Sequence, residues 1–287
     1  MKPKRDSINQ SIYLPLNQET ATAFDTTLQS LRDLALTAIF ALHLDIRCGI
    51  IHMLTRTMAG PNPPAVRNSE PATPSPPPSG GCWHLLTSQP TAASPAILEL
   101  NKDLIAFDTN ISTYLGPAQR HFITSGLARF VDRVFVASTR YIWAMNENGA
   151  LRLQLDVLVL QQNLKNVIID PTQIPPPDQA RTPQAELYRE VVTLPRSAKF
   201  LDWFLEGAGK ALDYAKEEKE RMAAHGDQAT ADGDPFSYEE LKVLVDLCFS
   251  ENLRGPKSED NREDFMASKK ASADALLRLN EIMWDSK

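Results

Sequence analysis

Two pairs of side chains in this chain have the spacing to do chemistry together. His43 and Arg47, and Cys48 and His52, lie four residues apart, so each pair would share a helix face. A thiol and an imidazole at that spacing can ligate a divalent metal, with Cys82 or His84 as further ligands. No second spaced pair supports that set, and Cys82 falls in a stretch rich in Pro, Ser and Gly, so packed polar groups are the better reading. His43, Asp45 and Arg47 carry the groups for acid–base work, yet residues two apart point to different faces. Caps, or hydrogen bonds between helices that fix which helix meets which, account for them better.

The remaining candidates weigh the same way. Gln161, Gln162 and Asn163 have the same potential against the next helix, with at least one facing solvent. Trp143, Trp203 and Trp284 sit at helical positions and read as core or interface anchors rather than a ligand box. Gly207 and Gly209 follow no strand and precede no GKS or GKT, so they make no phosphate loop. There is no GxSxG, HExxH or kinase signature. The reading is therefore no catalytic residue, no cofactor site, no metal site and no enzyme. Thr73-Pro74 and Ser75-Pro76 have the form of proline-directed phosphorylation sites, whereas Ser94-Pro95 is more simply a helix start.

The elements that would position these groups are helical. Phe24, Leu28, Leu31, Ala35, Ala38, Leu42, Ile46, Ile50 and Met53 step by three or four, which predicts a helix from about Thr20 to Met58. Around 34–44 it is apolar nearly all round, so it should pack on more than one side. Residues 34–54 raise a membrane question, but His43, Asp45, Arg47 and His52 interrupt the run, and a core helix is the better reading. Further helices are predicted over 95–115, 117–147 and 150–169, with Asn146-Glu147-Asn148-Gly149 as a turn. Thr182-Pro183 opens another, split at Pro195, with its second piece running from Ser197 to about Ala224. Ser237 and Glu240 form a capping box ahead of a helix over 237–251, and the last helix covers 262–284. Cys82-Trp83-His84-Leu85-Leu86 is expected to dock as a short extended piece. No strand pattern and no fixed-length repeat rises above this signal. The fold class is all-α, an elongated antiparallel helical bundle or rod.

Composition sets the frame. The chain has 287 residues and is 43% hydrophobic, enough for a real core. Ten of its 21 prolines fall between positions 61 and 95, which leaves the rest free for long helices. This gives an irregular lead-in over 1–19, a helical bundle over 20–169 with a mobile Pro-rich insertion at 59–93, a Pro-rich linker over 170–183 and a C-terminal helical bundle over 184–287. The net charge of −6 argues against a nucleic-acid or anionic-membrane surface, and Lys2, Lys4 and Arg5 are a solvated tail. Three dispersed cysteines and no secretory signal fit a reducing cytosol.

Leu42-His43-Leu44-Asp45-Ile46-Arg47, Leu100-Asn101-Lys102-Asp103-Leu104, Phe122-Ile123-Thr124-Ser125-Gly126-Leu127, Asn146-Glu147-Asn148-Gly149 and Leu158-Val159-Leu160-Gln161-Gln162-Asn163-Leu164 occur in this order. Together they resemble the C-terminal region of the exocyst subunit called Sec eight (exocyst component four). The likeness runs from about Leu31 to Leu253 and has a filamentous-fungal style. It implies a helical, non-catalytic scaffold subunit of the exocyst, cytoplasmic and peripheral at plasma-membrane sites of secretion, which tethers and docks secretory vesicles before fusion. It implies the other exocyst subunits as partners, with small GTPases or SNARE machinery as further candidates, and neither nucleic acid nor direct membrane insertion. The family's PDZ-binding end in animals does not carry over to Trp284-Asp285-Ser286-Lys287. The alternatives are a subunit of another vesicle tether at the Golgi or endosomes, a membrane-binding adaptor module or a stand-alone enzyme.

Overall fold

The computed structural model describes residues 17–59, 83–168, 192–225, 235–254 and 262–284. The Pro-rich stretch with Thr73, Ser75 and Cys82, the lead-in and the linker around 170–183 lie outside the described residues. The fold is all-α. Its helices are α1 (Gln18–Ala59), α2 (Pro95–Ser112), α3 (Pro117–Thr124), α4 (Leu127–Ser138) and α5 (Glu147–Val167). They continue with α6 (Pro195–Glu206), α7 (Ala208–His225), α8 (Tyr238–Cys248), α9 (Ser250–Arg254) and α10 (Arg262–Trp284). Two short strands, β1 (Trp83–His84) and β2 (Ala144–Met145), pair in parallel, Trp83 opposite Ala144 and His84 opposite Met145.

The chain divides into two compact units, 1–42 and 43–287. In the first, α1 runs with most of its large apolar positions in solvent, Leu34 66% exposed and Leu36 64%, while Leu28, Ile39 and Leu42 are half-buried. The stripe predicted to be buried from Phe24 onward becomes buried only at Ile46, and then at Ile50, Met53, Leu54 and Met58. Apolar residue types show that a surface favours cover; they do not say which surface supplies it.

In the second unit the core is built where α2 packs on α5, α5 and α4 pack on α6, and α10 packs on α7 and α8. Phe135, Leu153, Leu160, Leu164, Phe200, Leu244 and Leu279 are fully buried at its centre.

The single helix predicted over 117–147 is in fact α3, α4, a 3₁₀ turn (Thr139–Tyr141) and β2. Gly126 breaks it at a φ of +68°, a left-handed conformation that is cheap only for glycine. Gly207, at a φ of +96°, likewise separates α6 from α7. Asn146-Glu147-Asn148-Gly149 is no turn between helices but the cap and first turn of α5. Asn146 Oδ1 accepts the Gly149 N–H at 2.9 Å, the local geometry of a helix start. The docked extended piece is present at Trp83–His84.

Candidate functional site

Two of the blocks that carry the family likeness, 42–47 and 122–127, face each other in the fold and are joined by polar atoms. Arg47, on α1, donates from Nη1 to the carbonyls of His43 (3.0 Å) and Ile123 (3.1 Å), and from Nη2 to that of Ser125 (2.7 Å). His43 Nδ1 reaches the Phe122 carbonyl at 3.3 Å, and the two rings lie 5.4 Å apart. The last carbonyls of a helix have no intrahelical donors and carry the negative end of its dipole. A planar guanidinium satisfies several at once where an ammonium cannot. Block 42–47 is thus the cap of block 122–127. Asp45, between them, is exposed, as two-residue spacing requires.

Arg47→Ala is expected to destabilise the unit by about 2–4 kcal/mol, since charged hydrogen bonds are lost and part-buried carbonyls left without donors. Arg47→Lys should recover less than half of that. Urea unfolding followed by circular dichroism measures both, and equal stabilities for Lys and wild type would contradict the capping role.

A second pair of segments closes around Asn146. Its Nδ2 donates to the Leu86 carbonyl (2.9 Å), its Oδ1 accepts the Leu86 N–H (3.1 Å), and its own N–H goes to the His84 carbonyl (3.2 Å). Asn148 Nδ2 adds a bond to Leu86 O at 3.2 Å. Ser250 ties β2 to α9: the Met145 N–H donates to its Oγ at 3.0 Å.

The third lock was not legible in the sequence. Asp132, 3% exposed, accepts the Arg196 N–H at Oδ2 (3.0 Å), and the Ser197 N–H (2.8 Å) and Ser197 Oγ–H (2.6 Å) at Oδ1. These are the free amides of the first turn of α6, whose first residue is Pro195, so an aspartate of α4 caps α6 from outside. Arg196 then donates to Pro235 O (2.9 Å) and to both oxygens of Glu240 (2.8 and 2.9 Å), with its guanidinium 4.4 Å over the Phe236 ring. Glu240 also closes the predicted capping box, accepting the Ser237 N–H at 2.7 Å. The signal was an acidic residue on the apolar face of Leu127, Ala128, Val131, Phe135 and Val136.

Half-buried His84 and fully buried Asp156 are titratable groups beside α2 and α5. Burial holds His84 down to about 4, with the Arg152 charge acting the same way and a bond to the Met58 backbone opposing it. Burial pushes Asp156 up to about 6, against the Ser94 N–H that donates to it at 2.6 Å. Ser94 is the predicted start of α2, but its backbone rather than its side chain makes the bond.

The two shifts act in opposite directions. The unfolded chain protonates histidine near 6.5 and the folded one only near 4, so stability from His84 is lost as pH falls across that range. The folded chain keeps the Asp156 proton up to about 6 and the unfolded chain only to 3.8, so this contribution is lost as pH rises across that range. Between about 4 and 6 they offset. Asp156→Asn keeps the acceptor and removes one side of the balance. The variant is expected to lose on the order of 2–3 kcal/mol more than wild type between pH 6.5 and 4, read by urea midpoints. Equal pH slopes for the two proteins would contradict it.

The other predicted residues stay apart. Cys48 and His52 are exposed, and Cys248 is half-buried, its thiol pushed up to about 12 by the loss of solvent around it. Among the described residues no three His, Cys, Asp or Glu side chains cluster as metal ligands. Gln162 is exposed, while Gln161 and Asn163 are half-buried. Trp203 packs with Tyr214 and Phe236 at 4.7 and 5.1 Å. Trp143 carries the Arg254 guanidinium 5.2 Å from its ring, and Trp284 is 71% exposed against the edge of Tyr238. The described residues use their convergent polar groups to hold helices to one another.

No family model matches the chain. It is 31% identical over 303 aligned residues to a protein of Neurospora crassa named probable exocyst complex component sec8, covering 96% of this chain and 23% of that protein. It is 37% identical over 73 residues to exocyst complex component 4 of Dictyostelium discoideum (25% of this chain, 6% of that protein). It is 23% identical over 167 residues to exocyst complex component 4 of Homo sapiens (58% and 15%). The chain thus spans less than a quarter of the length of these curated relatives. The match at 31% identity along 96% of its length makes this chain a member of the exocyst complex component 4 (sec8) family.

Proposed function

We propose that this chain is a non-catalytic scaffold segment of an exocyst subunit, and that it acts in tethering secretory vesicles to the plasma membrane before fusion, on the cytoplasmic side. The observation that carries the reading is the 31% identity along 96% of the chain to a protein named as an exocyst component. The fold agrees with it. Arg47, Asn146, Asp132 and Arg196, the polar residues that converge, all converge on backbone or on one another, as in a part whose task is to hold a shape. The other exocyst subunits are the proposed partners. A tagged copy expressed in Neurospora crassa and recovered from cytosol tests this by mass spectrometry. Enrichment of the other exocyst subunits over a tagged control is the expected result. Enrichment of a Golgi or endosomal tether, or of no tether at all, would overturn the reading.

A further inference from the structure

The least explained surface of the chain is the exposed apolar part of α1. In the unit 1–42, Phe24 is 62% exposed, Leu31 58%, Leu34 66% and Leu36 64%. Isolated exposed apolar residues are ordinary, but a run along one helix marks a surface built to be covered. The spacing says what kind of cover. Phe24, Leu28, Leu31, Ala35, Ala38 and Leu42 recur every four and three residues, the seam that takes the knobs of another helix, with two alanines that allow close approach. From Leu34 to Leu42 the helix is apolar on all sides except Thr37, so one partner helix cannot cover it.

The helix is long and apolar enough, by length and composition, to span a membrane. The arrangement of its charges opposes that. Arg32 and Asp33 stand on one side of the apolar run, and His43, Asp45 and Arg47 on the other. The uncharged stretch between them rises only about 14 Å at ~1.5 Å per residue, less than half of a ~30 Å hydrocarbon layer. Arg47 is moreover committed to the carbonyls of Ile123 and Ser125.

We infer that residues 24–42 of α1 form the buried helix of a second bundle, completed by at least two helices with apolar faces from the part of the same subunit that lies outside the match. Two facts on separate grounds support that occupant. The all-round apolar stretch needs cover on several sides, more than a single docked helix gives. More than three quarters of the Neurospora relative lies outside the match, ample polypeptide to supply it. The inference rests on family membership and not on the tethering role.

The test replaces the matching segment of the Neurospora subunit with this chain and compares that chimera with the chain alone. Amide exchange over 24–42 is expected to slow at least 100-fold in the chimera, while exchange over 43–59 and 127–167 stays equal in both and certifies that the second unit is folded. A photo-crosslinking residue at Leu34 should join to helical segments of the same polypeptide outside the match. Leu31→Glu with Leu34→Glu should leave the unfolding midpoint of the chain alone unchanged and remove the added protection in the chimera. Unchanged exchange over 24–42 in the chimera would overturn the inference. So would a Leu34 crosslink to a second copy, to a different polypeptide or to lipid. Exocyst recovery with the chimera is scored separately, so failure of the tethering reading is distinguishable from failure of this one.

Discussion

Gly149→Ala is expected to destabilise the protein by about 3–5 kcal/mol, a very large effect for the addition of one methyl group. Alanine ordinarily favours a helix over glycine by about 1 kcal/mol, so propensity alone predicts the opposite sign. The environment decides. A Cβ at 149 would overlap the backbone carbonyl oxygen of His84 and sit 3.0 Å from its Cβ. That carbonyl belongs to β1 and accepts the Asn146 N–H. The strand would have to move outward, which breaks this bond and strains the exchange between Asn146 and Leu86. Overpacking and two or three lost hydrogen bonds then add to each other. Urea unfolding of the purified variant measures it. A stability equal to or above wild type would mean that β1 is not held where its hydrogen bonds place it.

The second large effect is Asp132→Ala, with an expected loss of about 3–5 kcal/mol. The carboxylate is the external cap of α6, and without it the Arg196 and Ser197 amides and the Ser197 hydroxyl are left in a dry environment. A lost N-cap alone costs about 1 kcal/mol; the remainder is the desolvation of buried donors. Asp132→Asn retains an acceptor oxygen and should lose less than half as much. The loss should also spread, because Arg196 is the residue through which α6 reaches Glu240 and Phe236. Amide exchange in α8 is therefore expected to rise in the alanine variant. Loss confined to α6 would show that the three helices are not one cooperative network.

Much of this fold was legible in the sequence, and particular residues say why. α10 was predicted at 262–284 and occupies Arg262–Trp284, because its stripe has one period and no breaker. The Ser237–Glu240 capping box was readable because it is local, two side chains three residues apart that satisfy each other's backbone. Arg47 and His43 were recognised as polar groups on one helix face, but their targets, 75 or more residues away, were not. Asp132 was missed altogether. Nothing in its neighbourhood marks it as a cap for a helix 64 residues later. A lone glycine in a helical pattern is tolerated, so Gly126 reads as part of a continuous helix; in the fold it is left-handed and follows Ser125, whose carbonyl accepts from Arg47. The exposed stripe on α1 is the reverse case, in which the pattern correctly marked a surface suited to burial and the second unit begins only at His43.

The proposed function has this chain serve through the shape its polar locks hold, as a segment of an exocyst subunit. One measurement tests it most directly: the amount of exocyst recovered from Neurospora crassa when this chain replaces the matching segment of the resident subunit, in three versions. The unmodified chain and a Cys48→Ser, His52→Ala variant are expected to recover the complex equally, because those two side chains are exposed and take part in none of the locks among the described residues. Asp132→Ala is expected to reduce recovery several-fold. Full recovery with Asp132→Ala, or loss with the Cys48 and His52 variant, would contradict the account.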